Sequence, residues 1–478
     1  NQEYPFEELV EAVEVQRDMS RNPIFDVMLV MQNNETANGE LFGTEAENAG
    51  ITNTVAKFDM TFNISEFNGQ FIVMLEYCNV LFKSETAERL LSHFIEVMNS
   101  ITENASQKIC EIEMITAEER KLILDDLNDT AIPYSKDKTI SEIIEYYVRK
   151  TPDKIAVVFE EEKLTYSEFN ARLNSLAHHL RDLGVRPNDF VAIIADRSME
   201  MFCGLYGIIK SGGAYVPIDP VYPKNRIDFI LKDCEPKAVL LYTKVDIDIP
   251  ERIPVIDLHD KEIWNGRTDD PEIVNTSHDL AYTIFTSGTT GTPKGVLIEH
   301  YGIANLREYS IQAHGVGEND NVIQFASFAF DSSVAEMTMG PLCGSTMFII
   351  SEDLRRDTKA FEAYVKDNHI TFALLPPAFL NLLHLEGLRT ITTAGSETSR
   401  ALVEKNRHIP VYSNDYGPTE ATVCTTYWKY DGTTELPERI PIGKPLPNKK
   451  VYILNQDKLC GIGIPGELCI TGDGLARG

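Results

Sequence analysis

The sequence predicts an α/β fold, with mostly parallel sheets flanked by helices, preceded by a smaller α/β segment. Two observations carry this prediction. From Ile140 onward, helical patterns alternate with short β-branched runs at 155–159, 190–195, 238–242, 322–325, 346–350, 371–375 and 389–394. An apolar run at 280–285 then leads directly into Thr286-Ser287-Gly288-Thr289-Thr290-Gly291-Thr292-Pro293-Lys294-Gly295. Strand followed by ligand-binding loop is the arrangement of open parallel sheets, which bind beyond the carboxyl ends of their strands.

Taken in order, residues 1–110 form one unit. A helical pattern over 5–15 is followed by a charged turn, Arg17-Asp18-Met19-Ser20-Arg21-Asn22-Pro23, and an apolar strand over 24–31. Phe58, Met60, Phe62 and Ile64 alternate with polar residues, the period of a half-buried strand. Residues 71–77 read as its antiparallel neighbour, joined through Asn68-Gly69. Ser84 opens a long helix with Leu90, Leu91, Phe94, Ile95 and Met98 on one face, and Glu85 sits at its start, where the helix dipole favours an anion. Residues 111–138 read as a linker, with a helix start at Thr116-Ala117-Glu118-Glu119. Residues 139–478 form the larger α/β part, in which segments after Phe328, Ile391 and Tyr412 are further candidate ligand positions.

Bulk properties narrow the function. A formal charge of -29 over 478 residues argues against a nucleic-acid binder, which presents a basic face. No apolar run of about 20 residues spans a membrane. The eight cysteines lack CxxC spacing, so a zinc site is unsupported, and their dispersal fits a reducing, cytoplasmic compartment. The polar start at Asn1 and the absence of a tail after Gly478 suggest a fragment of a longer polypeptide.

The 286–295 loop supplies five hydroxyls, three glycines and one lysine. Glycines let the backbone turn and expose N–H groups, and Lys294 adds a point charge, a set suited to polyphosphate. A plain polar loop is the alternative for these ten residues alone. A P-loop is excluded because Pro293 stands where that motif needs glycine. His178-His179 lies in a helical pattern whose inner face is Leu173, Leu176, Ala177 and Leu180, so a surface pair is expected rather than a catalytic one. In Asn414-Asp415-Tyr416-Gly417-Pro418-Thr419-Glu420, Tyr416 offers a flat face for a base and Glu420 a hard oxygen ligand for a cation. In Phe328-Ala329-Phe330-Asp331-Ser332-Ser333, Asp331 is a carboxylate in apolar surroundings, which requires a cation partner.

In this order the motifs resemble the adenylation domain of a nonribosomal peptide synthetase, within the adenylate-forming, AMP-binding family. Leu164-Thr165-Tyr166-Ser167-Glu168-Phe169 and Lys210-Ser211-Gly212-Gly213-Ala214-Tyr215-Val216-Pro217-Ile218-Asp219-Pro220 look like its first two motifs. Gly466-Glu467-Leu468-Cys469-Ile470-Thr471-Gly472 looks like the motif before its hinge. Residues 1–110 resemble the C-terminal part of a condensation domain, through Asn1-Gln2-Glu3-Tyr4-Pro5-Phe6-Glu7 and the 17–23 stretch. The resemblance implies further motifs that the chain lacks: a condensation histidine motif before Asn1, and a ribose-binding aspartate and a small C-terminal lobe with a lysine after Gly478. These departures suggest a chain that binds ATP and amino acid without efficient turnover.

By resemblance, the reaction is ATP-dependent formation of an aminoacyl adenylate with Mg²⁺, followed by transfer to phosphopantetheine on a carrier domain outside the chain. The implied partners are an amino acid, a downstream carrier domain and an upstream module. Thr286, Ser287, Gly288, Thr289, Thr290, Gly291 and Lys294 are expected to hold phosphates, Thr419 to touch the α-phosphate, Glu420 to hold the metal, Tyr416 to stack on adenine and Asn414 to meet its amino group. Asp331 and the carbonyl of Gly417 are expected to take the α-ammonium. The side-chain pocket is implied at Ser332, Ala335, Leu374, Thr392, Ala394, Asp415, Val423 and Cys424. Its small residues leave room for a ring, and Asp415 asks for a donor. L-Histidine is the expected substrate, with an aromatic amino acid as the alternative. An acyl- or aryl-acid ligase is disfavoured by Asp331.

Overall fold

The computed structural model describes residues 4–13, 22–32, 40–41, 44–45, 55–67, 69–287 and 291–478. The chain divides into two compact units, one of residues 1–124 with 453–467, the other of residues 125–452 with 468–478.

In the first unit, strand Val27–Gln32 pairs in parallel with Met60–Phe67, which pairs antiparallel with Gln70–Tyr77. The last two are the strands expected from the alternating pattern. The N-terminal helix is confined to Phe6–Ala12, and Glu3 and Arg17 to Arg21 lie outside the described residues. The long helix Ser84–Glu103 carries Glu85 in its first turn, as the sequence predicts. Its inner face differs from the expected one. Phe94 stacks 5.0 Å from Phe62, but Ile95 and Met98 are exposed, and the buried residues are Ala87 and His93. His93 Nε2 meets the carboxylate of Glu119, on the short helix Ala117–Leu124, and the other oxygen of Glu119 accepts from Ile462 N–H at 2.7 Å. A polar histidine is therefore buried because a carboxylate reaches it, which an apolar-face argument misses.

Two large sheets form most of the second unit. A six-stranded sheet runs in the order Val255–Asp257, Ala238–Leu241, Phe190–Ile194, Ala214–Ile218, Leu280–Ser287, Pro293–Glu299. It is parallel except for its last pair. A nine-stranded sheet has a parallel centre of Ile155–Phe159, Thr346–Ile349, Asn321–Gln324, Phe372–Leu375, Thr390–Thr393 and Val411–Tyr416. Antiparallel strands Glu162–Thr165 and Thr426–Tyr430 flank that centre, and Lys444–Pro445 lies beyond the latter. Strands Thr346–Ile349 and Phe372–Leu375 are buried along their whole length, because helices cover both faces of a parallel sheet. Helix Tyr166–Asp182 buries Leu173, Leu176, Ala177 and Leu180, opens with a reciprocal Thr165–Glu168 cap, and leaves His179 exposed, as expected. His178 is half-buried and bonds the carbonyl of Asp269 at 2.9 Å. All eight cysteines are free. No described helix is long and apolar enough to cross a membrane.

Candidate functional site

Parallel strands bring their carboxyl ends to one edge of the nine-stranded sheet, and the principal cavity opens there. It holds about 720 Å³ and is lined by residues 325–327, 330–332, 394–398 and 414–417, with Arg355, Leu374, Pro376, Val423, Cys424, Ile440 and Ile442.

Asp331 precedes helix Ser332–Met339 on the cavity wall. Its Oδ2 accepts from the Thr419 hydroxyl at 2.7 Å, and no lysine or arginine pairs with it among the described residues. Burial pushes its carboxyl above the usual aspartate range. The partner that the sequence argument demanded is therefore a neutral hydroxyl, and the negative charge faces the cavity uncompensated.

Asp415, on strand Val411–Tyr416, forms a second acidic point, only 3 % exposed. Its Oδ1 accepts from Ser413 Oγ at 2.5 Å, and its Oδ2 from Tyr309 Oη at 2.8 Å, with Cys424 Sγ at 3.9 Å. His314 Nε2 lies 3.8 Å from the same oxygen and 2.9 Å from Tyr309 Oη.

The segment after Tyr416 is constrained from several sides. A Cβ at Gly417 would fall 2.3 Å from the carbonyl oxygen of Val423, so only glycine fits. Thr422 and Val423 are β-branched, yet both adopt left-handed backbone, at φ 51° and 66°. Thr422 Oγ1 reaches the carbonyl oxygen of Gly474 at 2.5 Å. Buried Lys449 donates to the carbonyls of Ala421 and Cys424.

The expected phosphate loop is a hairpin. Leu280–Ser287 pairs antiparallel with Pro293–Glu299, which sets Thr286 opposite Lys294 and Ser287 opposite Pro293. Lys294 therefore projects from a strand rather than from the loop proper. Gly291 has φ 81° at the turn, and Gly288, Thr289 and Thr290 lie outside the described residues. The donor set for a cation is sparse: no cluster of three or more His, Cys, Asp or Glu could hold a metal among the described residues. Glu420 is exposed beside Thr419 and fits a cation held mainly by phosphate oxygens, the mode that Mg²⁺ favours.

Of the residues expected from sequence, Asp331, Ser332, Leu374, Ala394, Asn414, Asp415, Tyr416, Gly417, Val423 and Cys424 share the cavity wall. Ala335 and Thr392 do not reach it and are fully buried behind. Thr286, Ser287, Gly291, Lys294, Thr419 and Glu420 are likewise off its lining, although Thr419 bonds Asp331. The Asn414 amide is engaged at both ends, accepting from Thr398 and donating to the carbonyl of Pro441, which leaves one N–H. Residues 395–398 were missed as individual lining groups, although they follow the strand over 389–394 that marked a ligand position. Ile440 and Ile442 carried no signal.

Residues 144–478 match the family of AMP-binding enzymes, and residues 1–124 match the condensation domain. The chain belongs to the AMP-binding enzyme family. Within that family it carries the condensation-then-adenylation order of nonribosomal peptide synthetases. It is 42 % identical over its full length to tyrocidine synthase 2 of Brevibacillus parabrevis and 40 % to bacitracin synthase 3 of Bacillus licheniformis. It spans only 14 % and 8 % of those two proteins. Among solved structures, this AMP-binding chain is similar to the nonribosomal peptide synthetase FmoA3 in its α-methyl-L-serine-AMP bound form. That match has a TM-score of 0.85 at 25 % identity, covering 98 % of this chain and 55 % of the other. The AMPPNP-bound form of the same protein matches at a TM-score of 0.82 and 26 % identity, covering 95 % and 50 %.

Proposed function

We propose that the chain activates an α-amino acid, using ATP to form an aminoacyl adenylate that is passed to a carrier-domain phosphopantetheine thiol. The observation that carries this reading is Asp331: a carboxylate on the cavity wall whose only side-chain partner among the described residues is the Thr419 hydroxyl. An α-ammonium supplies the missing cation, and the carbonyl of Gly417 is a second acceptor for it. A fatty or aryl acid has no group for this position. The amino-acid adenylate in the related FmoA3 structure supports the same reading.

In this scheme the substrate carboxylate attacks the α-phosphorus of ATP, and the bond to pyrophosphate breaks. The protein contributes positioning and charge stabilisation rather than a nucleophile. Tyr416 stacks on adenine, and the remaining lone pair of the Asn414 carbonyl oxygen accepts from its amino group. Thr419 touches the α-phosphate, Glu420 holds Mg²⁺, and Thr286 through Lys294 hold the outer phosphates. Mg²⁺ supplies neutralisation of phosphate charge. The domain division belongs to the same reading: residues 1–110 from a condensation domain, 111–138 a linker and 139–478 the adenylation core, with a carrier domain and an upstream module as partners in the cytoplasm.

The side-chain pocket favours a ring carrying one hydrogen-bond donor. A carboxylate offers about four acceptor directions. Ser413, Tyr309 and the weak Cys424 thiol occupy three around Asp415, so one remains. L-Histidine meets this requirement with one imidazole N–H, and an aromatic amino acid is the second reading. Pyrophosphate exchange by the synthetase module containing this chain, run with all twenty amino acids, tests the assignment. Histidine is expected to lead, and exchange with phenylalanine or tyrosine well above it refutes the histidine assignment.

A further inference from the structure

Behind the cavity wall lies a buried polar chain that the adenylation reaction does not require. Tyr309 and His314 sit near the end of helix His300–His314, and both are almost wholly buried. His314 lies edge-on to Tyr309 and to Phe372, with ring centres 5.0 and 5.4 Å apart, so an apolar cage surrounds an imidazole. Its Nε2 is 2.9 Å from Tyr309 Oη, which is 2.8 Å from Asp415 Oδ2. Its Nδ1 is buried without a hydrogen-bond partner among the described residues.

The direction of the chain follows from the donor inventory. The carboxylate can only accept, so Tyr309 donates its proton to Asp415. Burial and the Asp415 charge hold the Tyr309 hydroxyl far above its usual titration range, which keeps that proton in place. The Tyr309 oxygen then accepts from Nε2–H of His314, and the unpartnered Nδ1 bears only a lone pair.

We propose that Tyr309 and His314 are specificity-determining positioning residues, which hold Asp415 through the chain Nε2–H to Oη–H to Oδ2 so that its other oxygen, Oδ1, is the acceptor presented to a donor-bearing substrate side chain. Neither residue lines the cavity, so neither touches substrate. Among the described residues Ser413 alone bonds Oδ1, whereas Oδ2 accepts from both Tyr309 and the Cys424 thiol, with the imidazole packed beside it. The crowding of donors on Oδ2 turns the open acceptor direction to Oδ1. This inference rests on the pocket reading given above and adds two residues to it.

The test uses Tyr309→Phe, His314→Gln and His314→Leu in the module containing this chain, with pyrophosphate exchange driven by L-histidine and by L-phenylalanine. Tyr309→Phe is expected to raise the KM for histidine roughly tenfold, the scale of one hydrogen bond to a charged group. The kcat, the KM for ATP and the KM for phenylalanine should each stay within about twofold. His314→Leu should act in the same direction, whereas His314→Gln, which can place an amide N–H near the Nε2 position, should restore wild-type behaviour. A parallel rise in all three KM values, or equal damage from Gln and Leu at 314, overturns the proposal. If Tyr309→Phe melts below the assay temperature, the Gln and Leu pair decides. A wild type that prefers phenylalanine refutes the histidine assignment separately. The positioning role then stands if Tyr309→Phe still shifts the histidine-to-phenylalanine ratio by roughly fivefold, and falls if that ratio is unchanged.

Discussion

The buried ammonium of Lys449 donates to the carbonyl oxygen of Cys424 at 2.6 Å. The same ammonium reaches the carbonyl of Ala421, so one cation spans the turn that carries Thr422 and Val423 in left-handed backbone. Burial lowers its pKa to about 8, yet no carboxylate pairs with it among the described residues. The charge is spent on peptide dipoles, and those dipoles belong to the pocket wall.

Lys449→Met is therefore expected to leave two buried carbonyls without a donor and to release the turn. Hydrogen bonds to charged groups are worth about 1.5–3 kcal/mol each. The KM for amino acid should rise at least about tenfold while the KM for ATP changes little. Exchange kinetics with each substrate varied in turn measure the split, and a thermal melt reports the accompanying loss of stability.

Asp331→Asn should weaken exchange sharply, because it removes the charge proposed to meet the α-ammonium. A loss of about 10–150-fold in kcat/KM is the expected scale for one charge-assisted contact. The wild-type pH dependence follows from the same residue. Its folded pKa is raised by burial, so protonation on acidification begins at higher pH than for an exposed aspartate. Amino-acid KM should therefore climb early as pH falls, and Asp331→Asn should flatten that profile.

Gly417→Ala places a methyl group 2.3 Å from the Val423 carbonyl oxygen and 2.7 Å from Cys424 Cα. Both contacts are backbone atoms of a segment whose carbonyls at Ala421 and Cys424 are bonded by Lys449, so neither side can yield cheaply. Loss of adenylate formation with a folded protein is the expected result, checked by exchange and by circular dichroism.

Glu336 gives a prediction for stability. Its carboxylate accepts from the N–H groups of Phe325 and Ala326 and from Gln324, while Arg197 donates to the carbonyls of residues 324–326. Burial outweighs these donors and raises the Glu336 pKa from 4.5 to about 7. Between those values the folded chain binds more protons than the unfolded chain. Its contribution to stability is thus full below about pH 4.5 and is lost as pH rises to about 7, on the order of 3 kcal/mol. Urea melts across this window should show that slope, and Glu336→Gln should reduce it.

Much of the fold was legible because two periods differ. Val157, Ile193, Leu240 and Phe372 stand in short β-branched or apolar runs between amphipathic helices, and all lie in parallel strands. The division into two separate sheets was not legible, because a run of apolar residues does not name its neighbours. For the site, chemistry-bearing motifs such as 414–420 were readable, since glycine, acid and aromatic occur there together. Tyr309, His314 and Lys449 were not, because a helix or strand residue behind a wall has no local signature of what it touches. His93 was hidden for the same reason: its partner Glu119 is 26 positions away. Ala335 and Thr392 were placed one layer too near the cavity, because resemblance transfers a position without its depth.

The wall of the cavity ends several strands, and each ending is gripped from outside the wall. Arg197 and Glu336 grip residues 324–326, Lys449 grips 421–424, and Tyr309 and Ser413 grip Asp415. A pocket transplanted into another synthetase by its lining side chains alone would leave these grips behind. Recoding such an enzyme for a new amino acid is therefore a matter of moving the wall together with its anchors, whose positions in the chain lie up to more than a hundred residues from the residues they hold.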